Sequence, residues 1–133
     1  MATNGGPNII EDGLVFAVDA ANKKSYPGSG TTWSDLAGNN NGTLINGPTF
    51  DSANGGVIDF DGSNDKSNFP DSDVYNFTSS DAFSLETFCY ASQAAPSGMI
   101  PLIERYYWNT EGKGGYVLRL RTYSTNYPIF SVN

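Results

Sequence analysis

Between Asp12 and Gly62 the chain reads DGLVFAVDAANKKSYPGSGTTWSDLAGNNNGTLINGPTFDSANGGVIDFDG. Short apolar stretches (Leu14 to Val18, Thr43 to Ile45, Val57 to Phe60) are cut apart by Pro-Gly, Asn-Gly, Gly-Pro and Gly-Gly. Those dipeptides supply the fixed or positive φ angles that tight turns need. Strands of four to seven residues between such turns are the pattern of an antiparallel β-sandwich or jelly roll. The fold expected is therefore all-β.

Composition agrees. Aromatic residues make up 14% of the 133 residues, and with Gly, Asn, Ser and Thr they suit strands and turns. No ten-residue stretch shows a 3.6-residue apolar period. The length suits a single domain with its own core, running from 12 to 133 after a flexible Gly/Asn/Pro-containing arm over residues 1–11.

The pass along the chain predicts a first strand over Gly13 to Asp19, apolar almost throughout and covered on both faces. Ala20 to Asn41 is a long connection, held by packing of Trp33 and Leu36. Gly42 to Asn46 and Val57 to Asp61 are short strands, Asp61 to Asp65 a turn, and Lys66 to Ser80 polar and irregular. Phe83 to Ala91 is predicted as the longest strand, with Phe83 and Leu85 inward and Ser84 and Glu86 outward. Cys89 falls on the inward set as a small buried hydrophobe. After the loop Ser92 to Gly98 come strands over Met99 to Arg105, Val117 to Arg121 and Tyr127 to Val132. Tyr106 to Gly115 reads as a Gly-rich connection.

The segment SYPGSGTTWSDLAGNNNGTLINGPTF, followed by GGVIDFDGSND, resembles the concanavalin A-like, laminin G-like jelly-roll domains. The version it looks closest to is common in bacteriophage structural and tail proteins. AFSLETFCYA (Ala82 to Ala91) is similar to the family's next long strand, and YVLRLRTY (Tyr116 to Tyr123) sits where another is expected. The resemblance covers Asp12 to the C-terminus, specific in its first half and strand-like in its second. Such domains continue through a Trp-bearing segment and a Tyr-Val-Asn-Gly type hairpin. Here the chain stops at Asn133 with neither, which leaves three readings open: a fragment of a longer protein, a short gene, or missing strands supplied by a partner.

Charge and composition narrow the function. Net charge is −7, with 11 acids and 3 bases in residues 1–81. An acidic surface repels phosphate backbones, so no nucleic-acid partner is expected. A single Cys allows no intrachain disulfide, and the lack of His removes most His-based catalysis and zinc or haem ligation. The N-terminus MATNGGPNIIEDG lacks a basic-then-apolar leader, and no apolar run reaches the ~20 residues of a membrane span. The location expected is a virion assembled in a host cytoplasm.

Glycoside hydrolases share this sandwich and need two carboxyls about 5 to 9 Å apart. Glu86 and Glu104 are the pair available, but the Glu-x-Asp-x-x-Glu pattern of the related glucanases is absent: Thr87, Phe88 and Cys89 follow Glu86. No enzyme is predicted. Laminin G-like domains sometimes hold calcium at the rim, and Asp59, Asp61, Asn64 and Asp65 offer hard oxygens without EF-hand spacing. They equally suit a turn capped by Asp and Asn side chains. No cofactor is predicted, with Ca2+ the one weak candidate. Tyr106, Tyr107, Trp108 and Asn109 are the ligand or interface candidates, because rings beside an amide suit both sugar stacking and protein contact. Asn41-Gly42-Thr43 and Asn76-Phe77-Thr78 match the glycosylation pattern and read as coincidence in an Asn-rich chain.

Two functions follow as expectations. One is a non-enzymatic structural component of a phage particle (decoration, tail or fibre-associated), bound to other virion proteins or to copies of itself. The alternative is a carbohydrate-binding adhesion module for a host surface glycan.

Overall fold

Asn-Gly pairs open the description, because their positive φ values set the turns. Asn46 (φ 71) and Asn54 (φ 53) are the non-glycine residues with positive φ among those described, each followed by a glycine of positive φ. They punctuate strands throughout the first half of a computed structural model that describes residues 12–77, 80–91, 98–109, 112–123 and 125–132. Of these, the side chains of 98, 99, 106–109, 112–114 and 121–132 lie outside the described set. The N-terminal arm over 1–11 and most of the 92–98 loop also lie outside it.

The chain is all-β: small antiparallel sheets, with two short 3-10 turns and no α-helix among the described residues. The strands are β1 (Thr32–Trp33), β2 (Gly42–Ile45), β3 (Thr49–Asp51), β4 (Val57–Asp59), β5 (Lys66–Asn68), β6 (Gly98–Asn109), β7 (Gly112–Tyr123) and β8 (Thr125–Val132). They form three sheets, ordered β1-β2-β5, β3-β4 and β6-β7-β8. The chain clusters into two units, Met1–Ser72 and Asp73–Asn133.

In the first unit, β2 alternates as a half-buried strand should, with Gly42 and Leu44 buried and Thr43 exposed. It pairs with β1 on one side (Thr32↔Thr43) and with β5 on the other (Leu44↔Ser67). Phe69, just past β5, lies edge-on to Phe16 at 4.8 Å and tilted to Trp33 at 6.2 Å. Its ring fills the space that a side chain on Gly42 would need. Gly42→Ala is therefore expected to overpack this core and cost about 1–3 kcal/mol, read as a lowered denaturant midpoint at unchanged slope. Tyr26 and Phe50 form the other ring pair, 5.5 Å apart, beside β3 and β4. The β3–β4 connection turns through Asn54, Gly55 and Gly56, all at positive φ. A Cβ on Gly56 would lie 3.0 Å from both the Ala20 carbonyl oxygen and the Phe50 ring.

Several expectations are corrected. Gly13 to Asp19 forms no strand, and Val15 is exposed. The segment's backbone donors go to side chains instead: Ala17 N–H to Asp35 Oδ1 at 3.1 Å, and Asp19 N–H to Ser25 Oγ at 3.0 Å. The long connection is held less by Trp33 and Leu36, both half-buried, than by two buried polar residues. Ser25 is fully buried and its hydroxyl donates a hydrogen bond to the Ser34 carbonyl at 2.6 Å. The Asp35 carboxylate also accepts from the Ala37 and Asn40 N–H groups. The Lys66 to Ser80 stretch is not irregular throughout, since it contains β5 and the 3-10 turn Asp73–Tyr75.

In the second unit, Phe83 to Ala91 carries no strand ladder among the described residues. Its first half keeps the expected alternation, with Phe83 and Leu85 half-buried and Ser84 and Glu86 exposed. The apolar positions are satisfied by lying on a sheet face rather than by joining a sheet edge. Cys89 is exposed, not buried, because the segment has left that face by then. The longest strands are β6 and β7 at 12 residues each, and they absorb the expected Tyr106 to Gly115 connection as far as Asn109 and from Gly112. The last strand, Thr125–Val132, matches the expected Tyr127 to Val132 closely.

Candidate functional site on the three-stranded sheet

β7 is the middle strand of its sheet, free of proline, while Pro101 lies on β6 and Pro128 on β8. That distribution follows from chemistry: proline lacks the N–H that a central strand must donate, so it is confined to edges. β6 also slips register between Pro101 and Ile103, placing an extra residue at Leu102.

Tyr116 and Val117 are both buried. Successive strand positions face opposite ways, so both faces of the sheet are covered at this point. On the Tyr116 face, Phe77 and Phe83 stack at 4.4 Å with planes 7° apart. Tyr116 tilts against both, at 5.7 and 5.2 Å. Arg105, opposite Tyr116 in the ladder, donates from Nη2 to Asn76 Oδ1 at 2.8 Å. Asn76 in turn donates from Nδ2 to Asp73 Oδ1 at 2.9 Å. This relay ties the 3-10 turn to the sheet. Phe83, Ser84, Leu85 and Leu118 line an open cleft of about 270 Å³ beyond the rings. On the other face, Arg119 and Glu104 approach to 3.6 Å, a part-exposed pair worth little by itself.

Burial pushes the Tyr116 phenol above its ordinary 10.0, the Arg105 guanidinium pulling weakly the other way. A raised value means the folded chain favours the protonated phenol. The stabilisation is present in full below pH 10.0 and is lost as pH rises through the raised value. An alkaline titration should show a late tyrosine step from Tyr116. Replacement of Tyr116 with Phe should remove that late step.

Tyr106, Tyr107, Trp108 and Asn109 are the last four residues of β6, not a connection. The β propensity of the rings, with Gly115 and Gly114 opposite Tyr106 and Tyr107, extends the ladder to the strand's end. Positions 106 and 108 belong to one face and 107 and 109 to the other. The four share a strand end without sharing a face; their side chains lie outside the described residues.

Asp61 and Asp65 come together in a closed turn. Asp61 Oδ1 accepts from the N–H groups of Ser63 at 2.8 Å and Asn64 at 3.3 Å, and Asp65 Oδ2 accepts from Asp61 N–H at 3.1 Å. The Ser63 N–H above all holds the Asp61 carboxyl below its ordinary range. Asp59 stays in the ladder of β4 opposite Thr49. Among the described residues no three His, Cys, Asp or Glu side chains gather as a metal group. Glu86 and Glu104 are both exposed, and Glu104 faces Arg119. Both sequon asparagines have structural work: Asn41 Oδ1 accepts from Asp35 N–H at 3.0 Å, and Asn76 joins the relay above.

What sequence reasoning missed is the β6 edge itself. The signal was present in Pro101 and Pro128 flanking a proline-free strand of alternating Val, Leu and Arg. No family model, curated protein or solved structure matches this chain.

Proposed function

We propose that the chain is a non-enzymatic structural component of a bacteriophage particle, built on a concanavalin A-like jelly-roll plan. It works as a decoration, tail or fibre-associated module that docks on protein partners by adding their strands to its own sheet. The observation that carries this reading is the edge. Among the described residues, the 12-residue β6 pairs with β7 alone. A row of outward N–H and C=O groups is a template for a further strand. The N-terminal part of that edge is blunted by Pro101 and the Leu102 bulge, which leaves Glu104–Asn109 as the pairing stretch. The resemblance of Ser25 to Asp65 to phage jelly rolls supplies the particle.

The carbohydrate-binding alternative would rest on positions 106 and 108, which share one face of β6, while position 107 belongs to the other.

Particles banded on a density gradient from cells carrying the gene are expected to contain the chain in fixed stoichiometry. Tyr107→Pro, which removes a β6 N–H, should lower that incorporation while the Met1–Ser72 unit stays folded. Recovery of the wild-type chain only in the soluble fraction would overturn the proposal.

A further inference from the structure

Four Asn-Gly pairs stand in the chain, at 4–5, 41–42, 46–47 and 54–55. They share a self-reaction: the glycine nitrogen can attack the asparagine side-chain carbonyl, because no Cβ shields its approach. How the fold holds each pair decides how readily that happens. The first pair lies outside the described residues, and the other three are held differently.

Asn41 is locked at both ends. Its Oδ1 accepts from Asp35 N–H at 3.0 Å. Gly42 is buried in β2 against the Phe69 ring and pairs with Trp33, so its nitrogen is not free to swing. Asn46 is exposed, but its Nδ2 donates to the Asn64 carbonyl at 2.7 Å, which holds the amide that must leave. Asn54 and Gly55 are both exposed, and among the described residues no hydrogen bond holds the Asn54 side chain. Asn54 also sits at φ 53, ψ 27, in the left-handed region that L-residues disfavour, so leaving it releases local strain.

We infer that Asn54 is where the folded chain deamidates first among these three pairs, and that the product loosens the β3–β4 hairpin. The Gly55 nitrogen loses its proton and bonds Asn54 Cγ as the Cγ–Nδ2 bond breaks. That proton leaves with Nδ2 as ammonia, and a cyclic imide remains. Water then opens the imide. Addition at Cγ gives an aspartate, and addition at the main-chain carbonyl gives an isoaspartate. Water enters and ammonia leaves, with no oxidation or reduction.

In the isoaspartate the chain runs through the side chain, so one extra atom enters the backbone between residues 54 and 55. Gly56 has no room to absorb it. That residue is buried, and a Cβ there would already lie 3.0 Å from the Ala20 carbonyl oxygen and the Phe50 ring. The strain passes to the Asp51↔Val57 pair that closes the hairpin and to the Tyr26–Phe50 ring contact.

The test incubates the full wild-type chain, folded, at mildly alkaline pH in isotopically heavy water, with conversion at each pair followed by peptide mapping. One hydrogen bond sets the margin: position 54 is expected to convert about 2- to 10-fold faster than 46, with 41 slower still. In denaturant, where those holds are gone, the three rates should draw together. Faster conversion at 46 or 41 in the folded chain, or the same margin in denaturant, would overturn the inference. Asn54→Gly keeps the positive φ and lacks the reacting amide. After equal incubation, the amides of Thr49–Asp51 and Val57–Asp59 should lose exchange protection in the wild type and keep it in Asn54→Gly. Equal loss in both, or full protection in a converted wild type, would overturn the loosening of the hairpin.

Discussion

Asp35→Ala is expected to cost the Met1–Ser72 unit about 3 kcal/mol or more, since each stranded buried donor costs about 1–3 kcal/mol. The side chain is only 7% exposed. Its two oxygens accept from the backbone N–H groups of Ala17, Ala37 and Asn40 and from the Asn40 amide. No other residue in this stretch gathers as many donors. Truncation leaves those part-buried groups without their acceptor. Asp35→Asn keeps one acceptor oxygen and turns a donor toward Asn40, so a loss of about 1–2 kcal/mol is expected there. Thermal melts of both variants check the order. Equal stability of wild type and Asp35→Ala would mean that the Leu14 to Asp19 segment is held by something else.

Tyr116→Ala should be the costliest change in the Asp73–Asn133 unit, about 3–5 kcal/mol as for other large aromatic truncations. Tyr116 is 7% exposed and touches both rings of the Phe77–Phe83 stack, so its removal opens a void beneath the segment that covers the sheet. Tyr116→Phe keeps the ring and should cost far less. Near-ultraviolet circular dichroism reports the ring cluster directly. Loss of that signal in Tyr116→Ala with retention in Tyr116→Phe is the expected pattern, and retention in both would contradict the packing described.

The turns were legible because their causes are local. Asn46-Gly47 and Asn54-Gly55-Gly56 carry their own φ requirements, and the structure bends at both. The strands that border these turns, Gly42–Ile45 before the first and Val57–Asp59 after the second, are legible for the same reason. Leu14 to Val18 was not, because the acceptors that displace a ladder there include Asp35, 18 residues from Ala17. Apolar pattern shows which residues seek burial, not which polar side chain will take the backbone. Lys66–Asn68 has no apolar alternation at all and is a strand only because β2 offers an edge.

Phe83 to Ala91 carries the sharpest lesson. A period of two assigns Phe83 and Leu85 to one face, and that much holds. It does not say whether the face closes a sheet's edge or lies across a sheet, since both bury alternate residues. In sequence the Tyr106 to Asn109 cluster reads as part of a connection because glycines follow it. Opposite a long strand those glycines are ladder partners, and the cluster becomes part of an edge.

Amide hydrogen exchange measured on the free and the assembled chain tests docking through the β6 edge most directly. β7, paired on both sides, should exchange slowly in both states. Residues 104–109 should exchange faster in the free chain and become protected on assembly. Identical exchange over 104–109 in the two states would contradict docking through this edge.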